Sequence, residues 1–151
     1  MSAARALPLP AGITLGGSHT LAEVKALLAD CRLPIDDISD NVIFVVARTD
    51  HGLCGTAGLE TYGAIGLVRS VAVRAASRGN GIARALCDEI IRRATEGGVR
   101  RLFLLTTDAQ ALFRGLGFAE VRRDSLPPAI RETAQFRELC PQTATAMVRD
   151  A

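Results

Sequence analysis

Only one lysine, Lys25, stands among the 18 basic residues. That scarcity removes a familiar phosphate-binding motif: a P-loop ends in Gly-Lys-Ser/Thr, and no lysine is placed to complete one. The four cysteines (Cys31, Cys54, Cys87 and Cys140) are scattered, with no Cys-x-x-Cys pair and no histidine beside them. Zinc and redox-motif readings therefore fail, and no metal is expected. Long apolar runs are missing too: the longest, such as Val42 to Ala47, are strand-length and too short to span a bilayer. Prolines break the N-terminal stretch MSAARALPLP, which argues against a secretory signal and makes reduced thiols in a cytosol the expectation. A surplus of one charge is also lacking. The net charge is +2 with acids and bases interspersed, so no polyanion-binding face and no nucleic-acid partner are expected.

What remains is a globular balance, 48% hydrophobic and 23% charged, over 151 residues without repeat, low-complexity tract or internal linker. That length suits one domain with one substantial core. Ile13 to Leu15 reads as a short strand. Thr20 with Glu23 forms a capping box ahead of an apolar stripe (Leu21, Val24, Leu27, Leu28), so a helix follows and ends at Leu33-Pro34. Ile35 to Asp40 is expected as a second short helix. Val42 to Arg48 is β-branched and aromatic, and Thr49-Asp50-His51-Gly52 turns it into a partner strand over Leu53 to Leu59. Gly63 precedes another strand from Ile65 to Val73. Gly81 to Glu96 carries Ile82, Leu86, Ile90 and Ala94 at helical spacing, with Asp88–Arg92 and Glu89–Arg93 as i,i+4 pairs and Gly97-Gly98 as a stop. A strand (Arg101 to Leu105), a short helix (Ala109 to Leu116) and strands at Ala119 to Arg122 and Ala144 to Val148 complete the order. These elements imply an α/β (α+β) fold, a mixed sheet with helices on both faces. His19 and His51 fall at a helix entry and a hairpin tip, where surface roles suit them.

The clearest site lies between a strand end, Val71-Ala72-Val73, and the strongest helix. Arg78-Gly79-Asn80-Gly81-Ile82-Ala83 opens that helix with glycines that keep side chains away from its unpaired N–H groups. The helix dipole adds roughly half a positive charge there, and Arg78 and Arg84 stand nearby. The ligand implied bears phosphate. A dinucleotide fingerprint wants glycine or alanine where Arg84 stands, so that match is incomplete.

The Arg78-x-x-Gly81-x-Ala83 pattern after a strand resembles the coenzyme A pyrophosphate loop of the GNAT acetyltransferases. The downstream runs Leu102-Phe103-Leu104-Leu105-Thr106-Thr107 and Ala111-Leu112-Phe113-Arg114-Gly115-Leu116-Gly117-Phe118 are similar to the next strand and helix of that family. The resemblance implies a GNAT fold, mostly antiparallel, with a splayed pair of central strands around Val71 to Val73 and Leu102 to Leu105. It implies acetyl-CoA as co-substrate, bound by Val71, Ala72, Val73, Arg78, Gly79, Asn80, Gly81, Ile82, Ala83 and Phe113, with an amide near Val71 polarising the thioester carbonyl. Many relatives carry a proton-donating tyrosine where this chain has Phe113. The only tyrosine, Tyr62, lies elsewhere, and the acid stays unassigned. Glu60 stands where the family often places a base acting through water, and Thr106 and Thr107 end a strand near the expected thioester, with capping as their other reading. Cys140 could approach the site or be an inert buried thiol.

Two groups within the family are especially similar. N-acetylglutamate synthases share the flavour of the Leu102 to Thr107 run and of Phe113 to Phe118. The arsenic-resistance N-acetyltransferases resemble Leu59-Glu60-x-Tyr62-Gly63, Leu67-x-Arg69-Ser70-Val71-Ala72-Val73 and the tail Phe136-Arg137-x-Leu139-Cys140-Pro141. The resemblance implies a small amino acid or analogue as acceptor, with Arg69, Arg131 and Arg137 as candidates for its carboxylate, since arginine suits bidentate capture. A homodimer is the assembly that the family suggests. A protein acetyltransferase and a non-catalytic acyl-CoA sensor stay open as alternatives.

Overall fold

A computed structural model describes residues 9–38, 41–134, 136–137 and 143–151. Its elements run β1 (Thr14–Leu15), α1 (Leu21–Asp30), β2 (Ile43–Thr49), β3 (Gly52–Tyr62), β4 (Ile65–Val73), α2 (Ile82–Glu96), β5 (Arg101–Thr106), α3 (Gln110–Gly115), β6 (Ala119–Val121), α4 (Pro128–Arg131) and β7 (Thr145–Asp150), with 3₁₀ turns at Ala75–Ser77 and Arg123–Ser125. Among the described residues the strands form one sheet of seven in the order β1-β2-β3-β4-β5-β7-β6. Its pairs are antiparallel except β4 with β5.

Strand alternation sends neighbouring side chains to opposite faces and so divides the core. Val45, Leu59, Val68, Leu102 and Leu104 meet Ile82, Leu86 and Ile90 of α2 and Phe113 of α3. On the other face, Phe44 and Val46 meet Val24, Leu27 and Leu28 of α1, while Leu67 and Phe103 meet Ile130 of α4. The expected mixed sheet with helices on both faces is therefore present. Gly55 sets how closely α2 approaches: a Cβ there would lie 3.0 Å from Leu86 Cδ1 and 3.1 Å from Ile82 Cγ2.

Local chemistry explains most of the boundaries. The capping box forms as the sequence predicts, Glu23 N–H donating to Thr20 Oγ1 at 3.1 Å and Thr20 N–H to Glu23 Oε1 at 3.0 Å. The Glu89–Arg93 pair forms at 2.9 Å, but Asp88–Arg92 does not, because Arg92 turns instead to Glu89 and to Glu96 at 2.6 Å. The helix expected at Ile35 to Asp40 is not seen over its described part. Residues 35–38 form a turn closed by Ile38 N–H on Ile35 C=O at 3.3 Å, and residues 39–40 lie outside the described set. The α4 helix, launched by Pro128, went unpredicted.

Two features of β4 position the site. In register with β3, Thr56 faces Ala72 and Gly58 faces Arg69. Ala57 is thus opposed by both Ser70 and Val71, a β-bulge, with Ser70 at φ 55 in the left-handed region that few non-glycine residues adopt. Beyond the bulge, β4 and β5 part company: they register only at Ile65/Arg101, Gly66/Leu102 and Leu67/Phe103.

Candidate active site

Two helices of this chain solve the problem of their unpaired first amides in opposite ways. Helix α1 satisfies its own with Thr20 and Glu23. Helix α2 begins at Gly81, which makes no side-chain cap, and has no acidic residue in its first turn. The backbone before it turns through Gly79 at φ 84 and Gly81 at φ 76, a path open to residues without a Cβ. Asn80 Nδ2 donates to Ser77 C=O at 3.0 Å and holds the loop, while Arg78 Nε donates to Val73 C=O at 2.9 Å and fixes the arginine beside it. A depression of about 160 Å³ results, lined by Val73, Arg78, Gly79, Gly81, Ile82, Ala83 and Arg84 among others. Uncapped helix-start amides, the positive end of the helix dipole and arginines on its rim suit it chemically to an anion.

The depression opens into a cleft of about 820 Å³ that shares Val73, Arg78, Ala83 and Leu112 with it. One wall is β4 from Val68 to Val73, the other is β5 and its exit, Leu104 to Ala109. Phe113 closes one side, its ring set edge-on to Phe118 at 5.6 Å between centroids. The cleft also reaches Cys31–Pro34, the segment after α1, and so runs from the α2 face of the sheet through to the α1 face. Since β4 and β5 register only up to Leu67 and Phe103, the facing edges beyond that point offer main-chain donors and acceptors to whatever enters.

The structure gathers part of the sequence-derived residue set and disperses the rest. Val71, Ala72, Val73, Arg78, Gly79, Gly81, Ile82, Ala83 and Phe113 all line the two connected spaces, and Asn80 shapes the loop without lining either. Thr106 and Thr107 line the cleft; Thr106 Oγ1 also accepts Ala109 N–H at 3.0 Å and so caps the turn into α3. Arg69 lines it as well, but its side chain is 1% exposed and fully engaged. Asp37 accepts from both of its terminal nitrogens, at 2.5 and 2.6 Å, Glu60 Oε2 accepts at 2.6 Å, and Nε donates to Ser70 Oγ at 3.0 Å. Tyr62 donates its hydroxyl to the other oxygen of Glu60, and burial, followed by that carboxylate, pushes the phenol pKa well up. Glu60 is thus buried behind Arg69 rather than on the cleft wall, and a base role for it has to run through Tyr62 or a water. Arg131 and Arg137 are exposed and line neither space. Cys140 lies outside the described residues.

Residues 31–34, Asp108 and Leu112 line the cleft without having been singled out from the sequence. For Asp108 a signal existed, a carboxylate directly after the Thr106-Thr107 strand end. For the post-α1 segment none did, because only the tertiary fold lays it against β4. Among the described residues no group of three His, Cys, Asp or Glu side chains could hold a metal, and no helix is long and apolar enough to cross a membrane.

Known proteins are similar to this chain in sequence and in fold. Over 100 residues the chain is 31% identical to the citrate (pro-3S)-lyase ligase of Escherichia coli, covering 66% of this chain and 27% of that protein. In fold it is similar to N-acetylglutamate synthase of Neisseria gonorrhoeae, solved with coenzyme A and L-arginine, at a TM-score of 0.73 and 24% identity over 93% of this chain and 34% of that one. It is similar also to the ribosomal-protein-S18-alanine N-acetyltransferase of Escherichia coli, at a TM-score of 0.67 and 20% identity over 91% of this chain and 93% of that one. The chain spans about a quarter of the ligase and about a third of the synthase. The GNAT acetyltransferase domain matches residues 40–120, just over half of the chain and the very segment that builds β2 to β6, the α2 loop and the divided strands. The chain belongs to the GNAT acetyltransferase family, whose members draw their acetyl group from acetyl-CoA.

Proposed function

We propose that this protein, as a single domain over residues 1–151, is an acetyl-CoA-dependent N-acetyltransferase acting by direct transfer on the amine of a small molecule, an amino acid or an amino-acid analogue. One observation carries the reading: the anion site at the head of α2 and the gap between β4 and β5 form one continuous path through the sheet. A diphosphate joined to a long amide-bearing arm ending in a thioester matches that sequence of surroundings.

Within this reading the amides of Gly79 to Ala83, with Arg78, hold the diphosphate. The open edge of Val71 to Val73 pairs with the arm's amides, and Phe113 packs against the arm. The co-substrate supplies an activated acetyl thioester. The bulge at Ser70–Val71 turns a main-chain N–H towards the carbonyl, where fixed dipoles stabilise developing negative charge without reorganising. Thr106 and Thr107 stand at the opposite wall as hydroxyls near the departing sulfur, since Phe113 has none to offer. Glu60 draws the acceptor's proton through Tyr62 or water, or else serves as counter-charge to Arg69. Arg131 and Arg137, both exposed, become acceptor ligands only if the acceptor reaches beyond the cleft. Free thiols at Cys31, Cys54 and Cys87 agree with a cytosolic setting, and a homodimer belongs to the same reading.

The test is calorimetric titration with acetyl-CoA. Gly81→Asp puts a carboxylate at the diphosphate site and should abolish binding, at least about a hundredfold. Gly81→Asn has the same shape and also tolerates φ 76, so it should bind far better than the aspartate variant. Equal, undiminished affinity in both folded variants removes the loop assignment. Thiol release is then followed over amino acids and their arsenic- and phosphorus-containing analogues, the latter because Leu59 to Val73 resembles the arsenic-resistance enzymes. A peptide beginning with alanine is a further arm, since one structural neighbour is named for that acceptor. Turnover confined to the peptide would favour a protein acetyltransferase.

A further inference from the structure

Helix α1 ends in a motif that ordinarily calls for glycine. Leu33 N–H donates to Leu28 C=O at 2.9 Å and Arg32 N–H to Ala29 C=O at 3.0 Å, the paired bonds of a Schellman closure. Leu33 packs back onto the cluster that contains Leu28, as that closure requires. The residue in the left-handed position is Arg32, at φ 61. An L-residue with a full side chain is strained there, and nothing in the closure needs one.

The strained arginine has no structural employment. Its side chain is exposed, and it makes no ion pair or hydrogen bond with any described residue, although Asp36 and Asp37 lie a few positions on. Yet it lines the cleft, on the α1 face, away from the head of α2. The other cleft arginines are committed: Arg69 to Asp37, Glu60 and Ser70, and Arg78 to the loop at the carrier end. Asp37 and Glu60 together outnumber Arg69 by one negative charge, so that cluster does not favour an anionic group, and Arg32 is the cleft arginine left to meet one at this end.

We infer that Arg32 is the acceptor's carboxylate-binding residue, which makes the acceptor an α-amino acid rather than a simple amine. The inference rests on the acetyltransferase reading, whose acceptor it narrows. The left-handed backbone then has a function: it aims the guanidinium over the cleft from a rigid helix end, where a bidentate pair with a carboxylate can form.

The experiment compares wild type, Arg32→Gly and Arg32→Lys by calorimetry in the presence of coenzyme A. A panel of amino acids is matched one for one with their decarboxylated amines, and kinetics are measured on the same panel with acetyl-CoA. Arg32→Gly should raise the Kd and KM of the amino acids by about ten- to a hundredfold, the scale of a charge-assisted pair. It should leave the decarboxylated amines and acetyl-CoA within about twofold and raise the melting temperature, because glycine relieves the left-handed strain. Arg32→Lys, with charge but no fork, should fall between. Unchanged amino-acid affinity in Arg32→Gly overturns the inference, as does an equal loss for amines or for acetyl-CoA, and as does a wild type that binds no amino acid. Amino-acid binding that depends on Arg32 without any turnover would uphold it while acetyl transfer fails. Turnover indifferent to Arg32 would do the reverse.

Discussion

At the scale of single residues, the cluster Asp37–Arg69–Glu60–Tyr62 fixes the wall on which the bulge sits. Taking one partner from a buried, hydrogen-bonded charge leaves the others unsatisfied, at a cost larger than the bond itself. Tyr62→Phe, which strips Glu60 of one donor, should lower stability by about 1–3 kcal/mol in urea denaturation. The phenol also dictates a sign. Its pKa is raised in the fold, so its contribution is complete below the unfolded value near 10 and is lost as pH climbs above it. Wild type should therefore lose stability above about pH 10 more steeply than Tyr62→Phe. Thiol chemistry gives a second check. Burial pushes Cys87 up to about 12, leaving about one thiolate in ten thousand at pH 8, and burial raises Cys54 too. Cys31, half-buried on the cleft wall, should be alkylated ahead of both, and acetyl-CoA should slow it; peptide mapping keeps Cys140 apart. The sequence offered Glu60 and Arg69 as separate candidates and gave Tyr62 no role. Their mutual engagement was illegible, because Asp37 reaches Arg69 across 32 positions and Glu60 reaches it only once β3 and β4 take up their register.

At the scale of elements, the contrast between the capped α1 and the uncapped α2 separates stability from binding. Thr20→Ala should cost about 1 kcal/mol and leave acetyl-CoA affinity alone. Gly55→Val acts on the other helix: its side chain would collide with Leu86 and Ile82, tilt α2 from the sheet and move the anion site with it, so affinity and melting temperature should fall together. Hydrophobic period and turn residues made these elements readable. Ile65 to Val73 matched β4 end for end, and α2 began one residue after the expected start. What escaped was non-local. A bulge exists only against a neighbouring strand, and nothing in Ser70 or Val71 announces one. Residues 35–38 form a turn where a helix was expected, their Asp37 drawn into the pair with Arg69.

At the scale of the whole molecule, the site is a consequence of topology more than of side chains. Among the described residues, only three registered pairs join the β1–β4 part of the sheet to the β5–β7–β6 part. A carrier that bridges the open edges should fasten the two parts to each other. At a hundred times its Kd, bound acetyl-CoA contributes about 2.7 kcal/mol to stability, which should raise the melting temperature by about 5–10 °C. Gly81→Asp should show no such rise. The split between β4 and β5 came into view through resemblance to a family, and the order of strands across the sheet did not come into view, since hydrophobic pattern alone does not say which strands are neighbours.

The parting of β4 from β5 has an evolutionary corollary. Where the chemistry is handled by peptide groups, the letters of the sequence around it are free to drift so long as the path of the chain survives. Structures that share a quarter or fewer of their residues with this protein nonetheless superpose on it at TM-scores around 0.7. What such structures share is the path of the chain, which survives while most of the side chains along it change.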